Sequence, residues 1–265
     1  MKFVSKPLGE AAEVSAGQGS QLKELAKLLS LALVLIITAY LSVGYITETL
    51  VSSISIENEK KWLGKLNVYQ LDFKQAEPSD KYQRAENILH RLSSNPEVPK
   101  LDYKLVILKN KSLNAFAFPG GTIGITSGLF DAITNDTALA FVIGHELGHF
   151  KHRHHLKGFS RAITTSIVFS ILFGSESDLQ LTQQIMLLLD KRHSQKQEIA
   201  SDKFSATLVF NTLGTTENIM QLFDVLKQSE SHKLRIGFLD THPSSQSRIA
   251  RLKKLSDQLN LKPSN

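Results

Sequence analysis

The sequence predicts an α+β fold that is mostly helical, with a small β-sheet ahead of one helix and with one N-terminal transmembrane helix. Three observations lead to this prediction. Residues 28–46 form an uncharged apolar run, residues 103–126 hold three short segments rich in β-branched and aromatic side chains, and apolar side chains after residue 135 recur at helical spacing. Residues 76–265 are long enough to bury one sizeable core, so we expect one globular domain there.

The first element is the apolar run at residues 28–46. At about 1.5 Å per residue, a helix of this length crosses a hydrocarbon core of about 30 Å, and we therefore expect one transmembrane helix. A cleaved signal peptide is the alternative, but its leader would be unusually long and no A-x-A cleavage site follows the run. A buried helix of the globular domain is the other alternative.

The charges that flank this run predict its orientation. Lys23 and Lys27 precede it, whereas no Lys or Arg follows until Lys60. The positive-inside rule then keeps residues 1–27, a tail predicted to be disordered, in the cytosol. The membrane-proximal segment 47–75 and the domain behind it lie outside. We expect a single-pass protein of the inner membrane whose domain faces the periplasm or an equivalent compartment.

The next elements are three short strands. Residues 103–108 and 114–118 are rich in apolar and β-branched side chains, and residues 122–126 alternate in polarity. Residues 119–121 read Pro-Gly-Gly, which favours a turn between the second and third strands. A small sheet therefore precedes the helix that follows.

That helix carries the pattern H-E-x-x-H at residues 145–149, after the N-cap candidate Asn135. Four residues of helix advance about 400°, so His145 and His149 share one face and can reach one metal ion. Apolar side chains line one face of this helix, and we expect both histidines to be half-buried at the rim of this apolar stripe. Neutral imidazoles suit Zn²⁺, and Glu146 beside an open coordination position can take a proton from zinc-bound water.

A third ligand is needed, and two residues compete. The pattern H-E-x-x-H-x-x-G-x-x-H would use His155, but His152 replaces the required Gly, and a continuing helix turns His155 about 80° off register. Glu198 is the better candidate because Asp202, four residues later, faces the same way and can accept the N–H of a ligating imidazole. We then interpret His152, His154 and His155 as a solvated basic helix end.

These motifs carry a family resemblance. H-E-L-G-H followed about fifty residues later by E-x-x-A/S-D resembles the gluzincins. Three further stretches narrow the resemblance to the HtpX-like and CAAX-prenyl-protease-related zinc endopeptidases, metallopeptidase family 48. The first, at residues 114–129, reads N-A-F-x-x-P-G-G with a later S-G-L. The second, at residues 241–249, reads T-H-P-S followed by R-I. The third is a membrane-proximal segment at residues 55–64.

The resemblance implies a membrane-anchored zinc endopeptidase with a zincin-like fold. One Zn²⁺ per chain would be held by His145, His149 and Glu198, with water in the fourth position. Glu146 would be the general base and then the general acid, and Asp202 would orient a ligand. Protein or peptide substrates would add as a strand to an edge of the small sheet, and envelope protein quality control is the implied role. A non-catalytic zinc chaperone or assembly factor for envelope proteins is the alternative.

Two further residues receive roles from the resemblance. Asn114 would hold substrate beside the metal, with a turn-flanking Asn as the alternative interpretation. His242 would either donate a hydrogen bond to the developing oxyanion or swing onto the zinc and displace water, and the sequence leaves both roles open.

One position departs from the family pattern. The family often has an Arg three residues before the Glu ligand, where this chain has Gln195, so the charge partner of that ligand is missing. Arg248 could pair with a carboxylate near the site, but we expect an Arg on a helix surface.

The remaining features concern partners. Apolar runs at 162–173 and 179–189 are too short to span a membrane, and we expect a helical pair that covers the cleft or touches the outer bilayer surface, with a plain core helix as the alternative. The net charge of +6 comes from scattered Lys and Arg, without a nucleic-acid module, so we expect no nucleic-acid partner. The absence of cysteine excludes disulfides and lipoprotein attachment.

Overall fold

The computed structural model describes residues 18–63, 79–173, 193–231, 242 and 246–261. The chain divides into two compact units, Met1–Tyr45 and Ile46–Asn265. In its described residues the second unit is mostly helical with one small mixed sheet, which confirms the predicted fold class. The predicted tail up to residue 17 and the second half of the predicted helical pair, residues 179–189, lie outside the described residues.

Helix α1, Gln18–Ser52, makes up the described part of the first unit and continues into the second. It contains the whole predicted run 28–46 and begins ten residues earlier, because residues 21–27 are Gln, Leu, Lys, Glu and Ala, which all favour helix. Its large apolar side chains are mostly exposed, as in a helix that faces lipid. Among the described residues, α1 is the one helix long and apolar enough to cross a membrane.

The second unit continues with a series of helices around the sheet. In the described residues these helices are α2 Ile56–Leu63, α3 Asp80–Ser93, α4 Ser127–Ala132, α5 Asp136–Lys151, α6 His154–Phe173, α7 Gln195–Leu213, α8 Gln221–Ser231 and α9 Gln246–Asn260. The first apolar run of the predicted helical pair, 162–173, forms the second half of α6.

The three predicted strands are present, at β1 Lys104–Leu108, β2 Ala115–Phe118 and β3 Thr122–Thr126. Their order is β1-β3-β2, with β1 parallel and β2 antiparallel to β3. The turn between β2 and β3 uses Gly120 and Gly121 at φ of 86° and 101°, a backbone region that suits glycine. In this order β2 lies at one edge of the sheet.

Helix α5 is buried along nearly its whole length. It begins as predicted, because Asn135 Oδ1 accepts hydrogen bonds from the amides of Thr137 and Ala138. The prediction that only one stripe of this helix is buried is wrong, since every residue from Ala138 to Phe150 is buried. Helices α3 and α7 and strand β2 all pack on α5, so the H-E-x-x-H residues lie in the interior rather than at a half-buried rim.

Helix α7 is well delimited by its own sequence. Ser194 and Gln197 form a reciprocal capping box at its start, and Gly214 ends it at φ of 78°. The helix predicted around Glu198 is therefore confirmed, and residues 198 and 202 lie in its first two turns.

Candidate active site

Helices α5 and α7 approach each other closely at two glycines of α5. A Cβ atom on Gly148 would stand 2.9 Å from Ser201 Cα, and one on Gly144 would stand 2.6 Å from Ser205 Oγ. At Gly148 the nearest facing atom belongs to the backbone, so only glycine leaves room for the facing helix there. The close contact brings the H-E-x-x-H side chains next to Glu198.

Three side chains converge between the two helices. His145 Nε2 lies 3.1 Å from His149 Nε2 and 3.4 Å from Glu198 Oε2. His149 Nε2 lies 3.5 Å from Glu198 Oε1. All three side chains are buried. The structure therefore brings together the three residues that the sequence predicts as metal ligands.

His242 joins the same cluster from a different part of the chain. Its Nδ1 lies 3.3 Å from His145 Nε2 and 3.1 Å from Glu198 Oε1. Its Nε2 lies 3.3 Å from the Ala115 carbonyl oxygen in β2, which accepts a hydrogen bond if Nε2 carries the proton. That tautomer leaves the Nδ1 lone pair directed into the cluster.

The spacing of these four groups fits a tetrahedral metal site. Their ligand atoms all lie within 4.8 Å of one another. For bonds of about 2.0–2.1 Å, neighbouring ligand atoms in a tetrahedron are about 3.3 Å apart. Five separations among these groups, between 3.1 and 3.5 Å, lie close to that value. Two or three imidazoles with one carboxylate form a donor set that binds a divalent transition metal.

Glu146 stands beside this cluster. Both of its carboxylate oxygens are buried and lack a hydrogen-bond partner among the described residues. His242 Nε2 lies 3.8 Å from its Oε1. Burial raises the pKa of Glu146 above its usual value. A buried carboxylate with free lone pairs is available to a water molecule or substrate.

The second ring nitrogen of His145 is held by Asp202. His145 Nδ1 lies 2.9 Å from Asp202 Oδ1, so Nδ1 donates and Nε2 faces the cluster. Burial raises the pKa of Asp202, but Arg248 and His145 outweigh burial and hold it below its usual value. Asp202 therefore remains an ionised acceptor in the position predicted for it.

Arg248 on α9 connects the two carboxylates. It donates hydrogen bonds to both oxygens of Asp202, and its Nη1 lies 2.7 Å from Glu198 Oε2 in an ion pair whose angle falls short of a hydrogen bond. The prediction of an Arg on a helix surface is wrong, because its side chain is 2% exposed. Arg248 thus supplies the positive charge that Gln195 does not, from a segment about fifty residues later in the chain.

His154 holds the second ring nitrogen of His149. The two Nδ1 atoms are 3.0 Å apart, so one ring donates and the other accepts. Burial lowers the pKa of His154 to about 4, and a neutral ring can accept the Nδ1 proton of His149. This arrangement leaves His149 Nε2 free to face the cluster.

The predicted solvated helix end is therefore wrong for His154 and His155, which are 7% and 3% exposed. Helix α5 stops at Lys151, and Arg153 adopts a left-handed φ of 56° before α6 begins. This reversal folds the chain back onto α5. The sequence pattern could not predict this change of direction, because no glycine marks the turn between α5 and α6.

His193 was not singled out by sequence reasoning. Its ring stacks on that of His149, with centroids 4.1 Å apart and an interplanar angle of 29°. Burial is the largest cause that lowers the pKa of His193 to about 3, so the ring stacks in its neutral form. A lone His before a helix cap carries no local signal for such a contact.

The cluster also shifts the pKa values of its own members. Burial lowers the pKa of His145, but the carboxylates of Glu198 and Asp202 outweigh burial and raise it to about 9. Burial raises the pKa of Glu198, yet His242 and His145 hold it well below its usual value. Burial lowers the pKa of His149 well below 6.5. Glu198 is thus ionised and His149 is neutral, and in these forms both side chains can bind a metal ion.

Asn114 lies at the start of β2, next to Ala115, whose carbonyl faces His242. Asn114 Oδ1 accepts the Ala115 amide at 2.9 Å, and the Asn114 amide donates to Thr126 Oγ1 at the same distance. These bonds fix the first residue of the edge strand. The structure thus places Asn114 at the edge strand beside the cluster.

We expect Arg248→Ala to lower the free energy of unfolding of the metal-free protein by about 3 kcal/mol, because it leaves two buried carboxylates without their cation. For a domain of this size the melting temperature would fall by roughly 10 °C. Arg251→Ala, an exposed position on the same helix, is the matched control. Equal melting temperatures for the two variants would contradict the role given to Arg248.

Comparison with known proteins agrees with this geometry. Residues 79–256 match peptidase family M48. The chain is similar to the metalloprotease LoiP of Escherichia coli (strain K12), at 30% identity over 66% of this chain and 70% of the relative. It is similar to the metalloprotease YcaL of the same strain, at 27% identity over 67% of this chain and 71% of that relative.

A third relative is much longer than this chain. The mitochondrial metalloendopeptidase OMA1 of Arabidopsis thaliana is 25% identical over 63% of this chain, and the match covers 34% of that relative. The family resemblance drawn from the sequence is confirmed by these matches. The chain belongs to peptidase family M48, and it is a metalloendopeptidase.

Proposed function

We propose that the protein is a zinc-dependent endopeptidase that is anchored in a membrane by α1 and hydrolyses misfolded or unassembled envelope proteins. The observation that carries the chemistry is the position of Glu146. Its carboxylate is buried, has no hydrogen bond among the described residues and adjoins a group of potential metal ligands. Leaving a polar group unpaired inside a protein costs about 1–3 kcal/mol, which is typical of a group kept for a substrate.

The proposed ligands of a single zinc ion are His145, His149 and Glu198. Their spacing suits tetrahedral coordination, and two imidazoles with one carboxylate are a common ligand set of catalytic zinc. A bound Zn²⁺ would polarise the scissile carbonyl and make a water molecule more acidic. Asp202 and His154 hold the outer nitrogens of the two imidazoles, so each ligand atom stays directed inward.

Glu146 would move the proton. It accepts a proton from the attacking water and then donates this proton to the leaving amine of the peptide. Burial raises its pKa, which makes the protonated form easier to reach during the reaction. The same carboxylate can therefore serve as base and then as acid.

Strand β2 is the proposed substrate edge. An extended peptide adds to an exposed sheet edge through main-chain hydrogen bonds, which are largely independent of side chains. Ala115, at the start of β2, already offers its carbonyl oxygen towards the cluster. We propose that Asn114, immediately before β2, holds a substrate group next to the scissile bond.

The geometry favours the second of the two roles considered for His242. Its Nδ1 occupies a position at ligand spacing from His145 and Glu198, which a water molecule would otherwise take. Its Nε2 contacts the carbonyl of Ala115, which substrate would use. We infer that His242 closes the site in this arrangement and must move before hydrolysis.

The compartment follows from α1 and its charges. Lys23 and Lys27 on the N-terminal side of the apolar run support a cytosolic tail and an extracytoplasmic peptidase domain in a bacterial inner membrane. A chaperone that keeps zinc without catalysis is the alternative function. The unpaired carboxylate of Glu146 argues against it, because a structural zinc site needs no base.

We expect Glu146→Gln to abolish casein cleavage by the purified protein while zinc remains bound, because the amide cannot accept the proton. General acid–base catalysis contributes a factor of about 10²–10⁴, so the loss should be at least hundredfold. Zinc content is measured by atomic absorption, with the exposed Glu217→Gln as control. A variant that cleaves as fast as the wild type would disprove the mechanism, and aggregation suppression without cleavage by either protein would favour the chaperone.

His242→Ala separates the two roles of that residue. If His242 closes the site and the open form is about a tenth of the population, peptide cleavage should rise about tenfold in the variant. If His242 instead stabilises the oxyanion, cleavage should fall about 10²–10³-fold. We expect the rise, with kcat measured on a quenched fluorescent peptide. His90→Ala, an exposed His on α3, is the control and should leave kcat unchanged.

The absence of cysteine allows the orientation to be tested by single-cysteine labelling. Lys254→Cys, at an exposed position of α9, should react with a membrane-impermeant maleimide in intact spheroplasts. Ser5→Cys in the tail should react only after lysis. The reverse pattern would show that the peptidase domain faces the cytosol.

A further inference from the structure

We propose that Glu59 is a positioning residue that joins the membrane-proximal helix α2 to the end of α5 and to the β2–β3 turn. In this view α2 is part of the catalytic unit rather than a linker behind α1. The inference depends on the proposed peptidase function only for its kinetic readout, since its structural readout needs neither metal nor substrate.

Glu59 differs from its neighbours on the short helix α2. Its side chain is 1% exposed, whereas Glu57, Lys60 and Trp62 on the same helix are exposed. A glutamate is almost never fully buried unless it is paired, because burial of an isolated charge is strongly unfavourable. We therefore expect the buried carboxylate of Glu59 to be paired with other polar groups.

The first contact leads towards the metal cluster. His155 Nε2 lies 2.6 Å from Glu59 Oε1, and His155 Nδ1 lies 3.2 Å from the carbonyl oxygen of His149. Both ring nitrogens thus face acceptors. One ring connects Glu59 to the backbone of a proposed zinc ligand.

The second contact holds the reversal after α5. Arg153 Nη1 lies 3.7 Å from Glu59 Oε2, and its Nη2 donates to the carbonyl oxygen of Ile54 just before α2. Arg153 is also the residue with the left-handed φ of 56°. Such a conformation is unfavourable for a residue with a side chain and persists only where surrounding contacts hold it.

The third contact leads to the substrate edge. The amide of Gly120 donates to Glu59 Oε1 at 3.3 Å. Gly120 lies in the turn that joins β2 to β3, and β2 is the strand to which substrate is proposed to add. One carboxylate therefore ties the strand that would align the peptide to the helix that carries the base. Burial raises the pKa of Glu59, but His155, Gly120 and Arg153 outweigh it, so the group is ionised at neutral pH.

A purely stabilising ion pair predicts a different outcome from a positioning residue. Loss of a stabilising pair lowers the melting temperature but leaves the folded protein with normal kinetics and uniform amide exchange. Loss of a positioning residue changes the two segments that Glu59 holds, residues 118–122 and 150–156, and lowers the turnover of the folded, zinc-loaded enzyme.

The experiment compares Glu59→Gln with Glu57→Gln, the same substitution at an exposed position of α2, in the full-length protein in detergent. Amide hydrogen exchange is measured on the metal-free proteins. We expect exchange in 118–122 and 150–156 to rise several-fold in Glu59→Gln only. We also expect kcat/KM on a quenched peptide, normalised to bound zinc and measured well below the melting temperature, to fall about tenfold.

A second variant, His155→Gln, keeps the bond between Glu59 and Gly120. It should raise exchange in 150–156 alone and lower kcat with little change in KM. If Glu59→Gln does not fold, His155→Gln provides the test instead. Unchanged exchange in both segments, or a uniform rise across the domain, would overturn the proposal. If the wild type cleaves no peptide, the exchange result still tests the role of Glu59. Failure of this proposal can therefore be distinguished from failure of the proposed function.

Discussion

The close contact between α5 and α7 is the constraint on which the rest of the site depends. Gly148 of α5 faces the backbone of Ser201 in α7, and even one methyl group there would come within 2.9 Å of a Cα atom. At this separation, imidazoles from one helix and a carboxylate from the other reach a common point. A larger separation would leave the same sequence motifs in place but without a shared metal.

Around that contact, each proposed metal ligand is held on its outer side by a partner from another element. Asp202 holds His145, His154 holds His149, and Arg248 faces Glu198. These partners are buried, so their bonds are strong and their loss is costly. The ligand atoms are therefore already oriented by protein contacts, which is how a metal site of defined geometry is preorganised.

The sequence predicted the features that depend on spacing within one element. His145 and His149 share a face because they are four residues apart, and the same holds for Glu198 and Asp202. Prediction from the sequence failed where a distant segment of the chain determines the surroundings of a side chain. His155 was expected in solvent because no glycine marks the reversal at Arg153, and its partner Glu59 lies about a hundred residues earlier. For the same reason, the burial of Arg248 could not be predicted from the local pattern of α9.

The buried polar groups also have a definite sum of charge. Glu198 and Asp202 contribute two negative charges, Arg248 one positive charge, and a protonated His145 brings the sum to zero. A divalent ion adds two positive charges while His145 gives up its proton, so the sum rises by only one, to a single positive charge. Release of the proton thus halves the charge that metal loading adds to the tightly packed interior around α5.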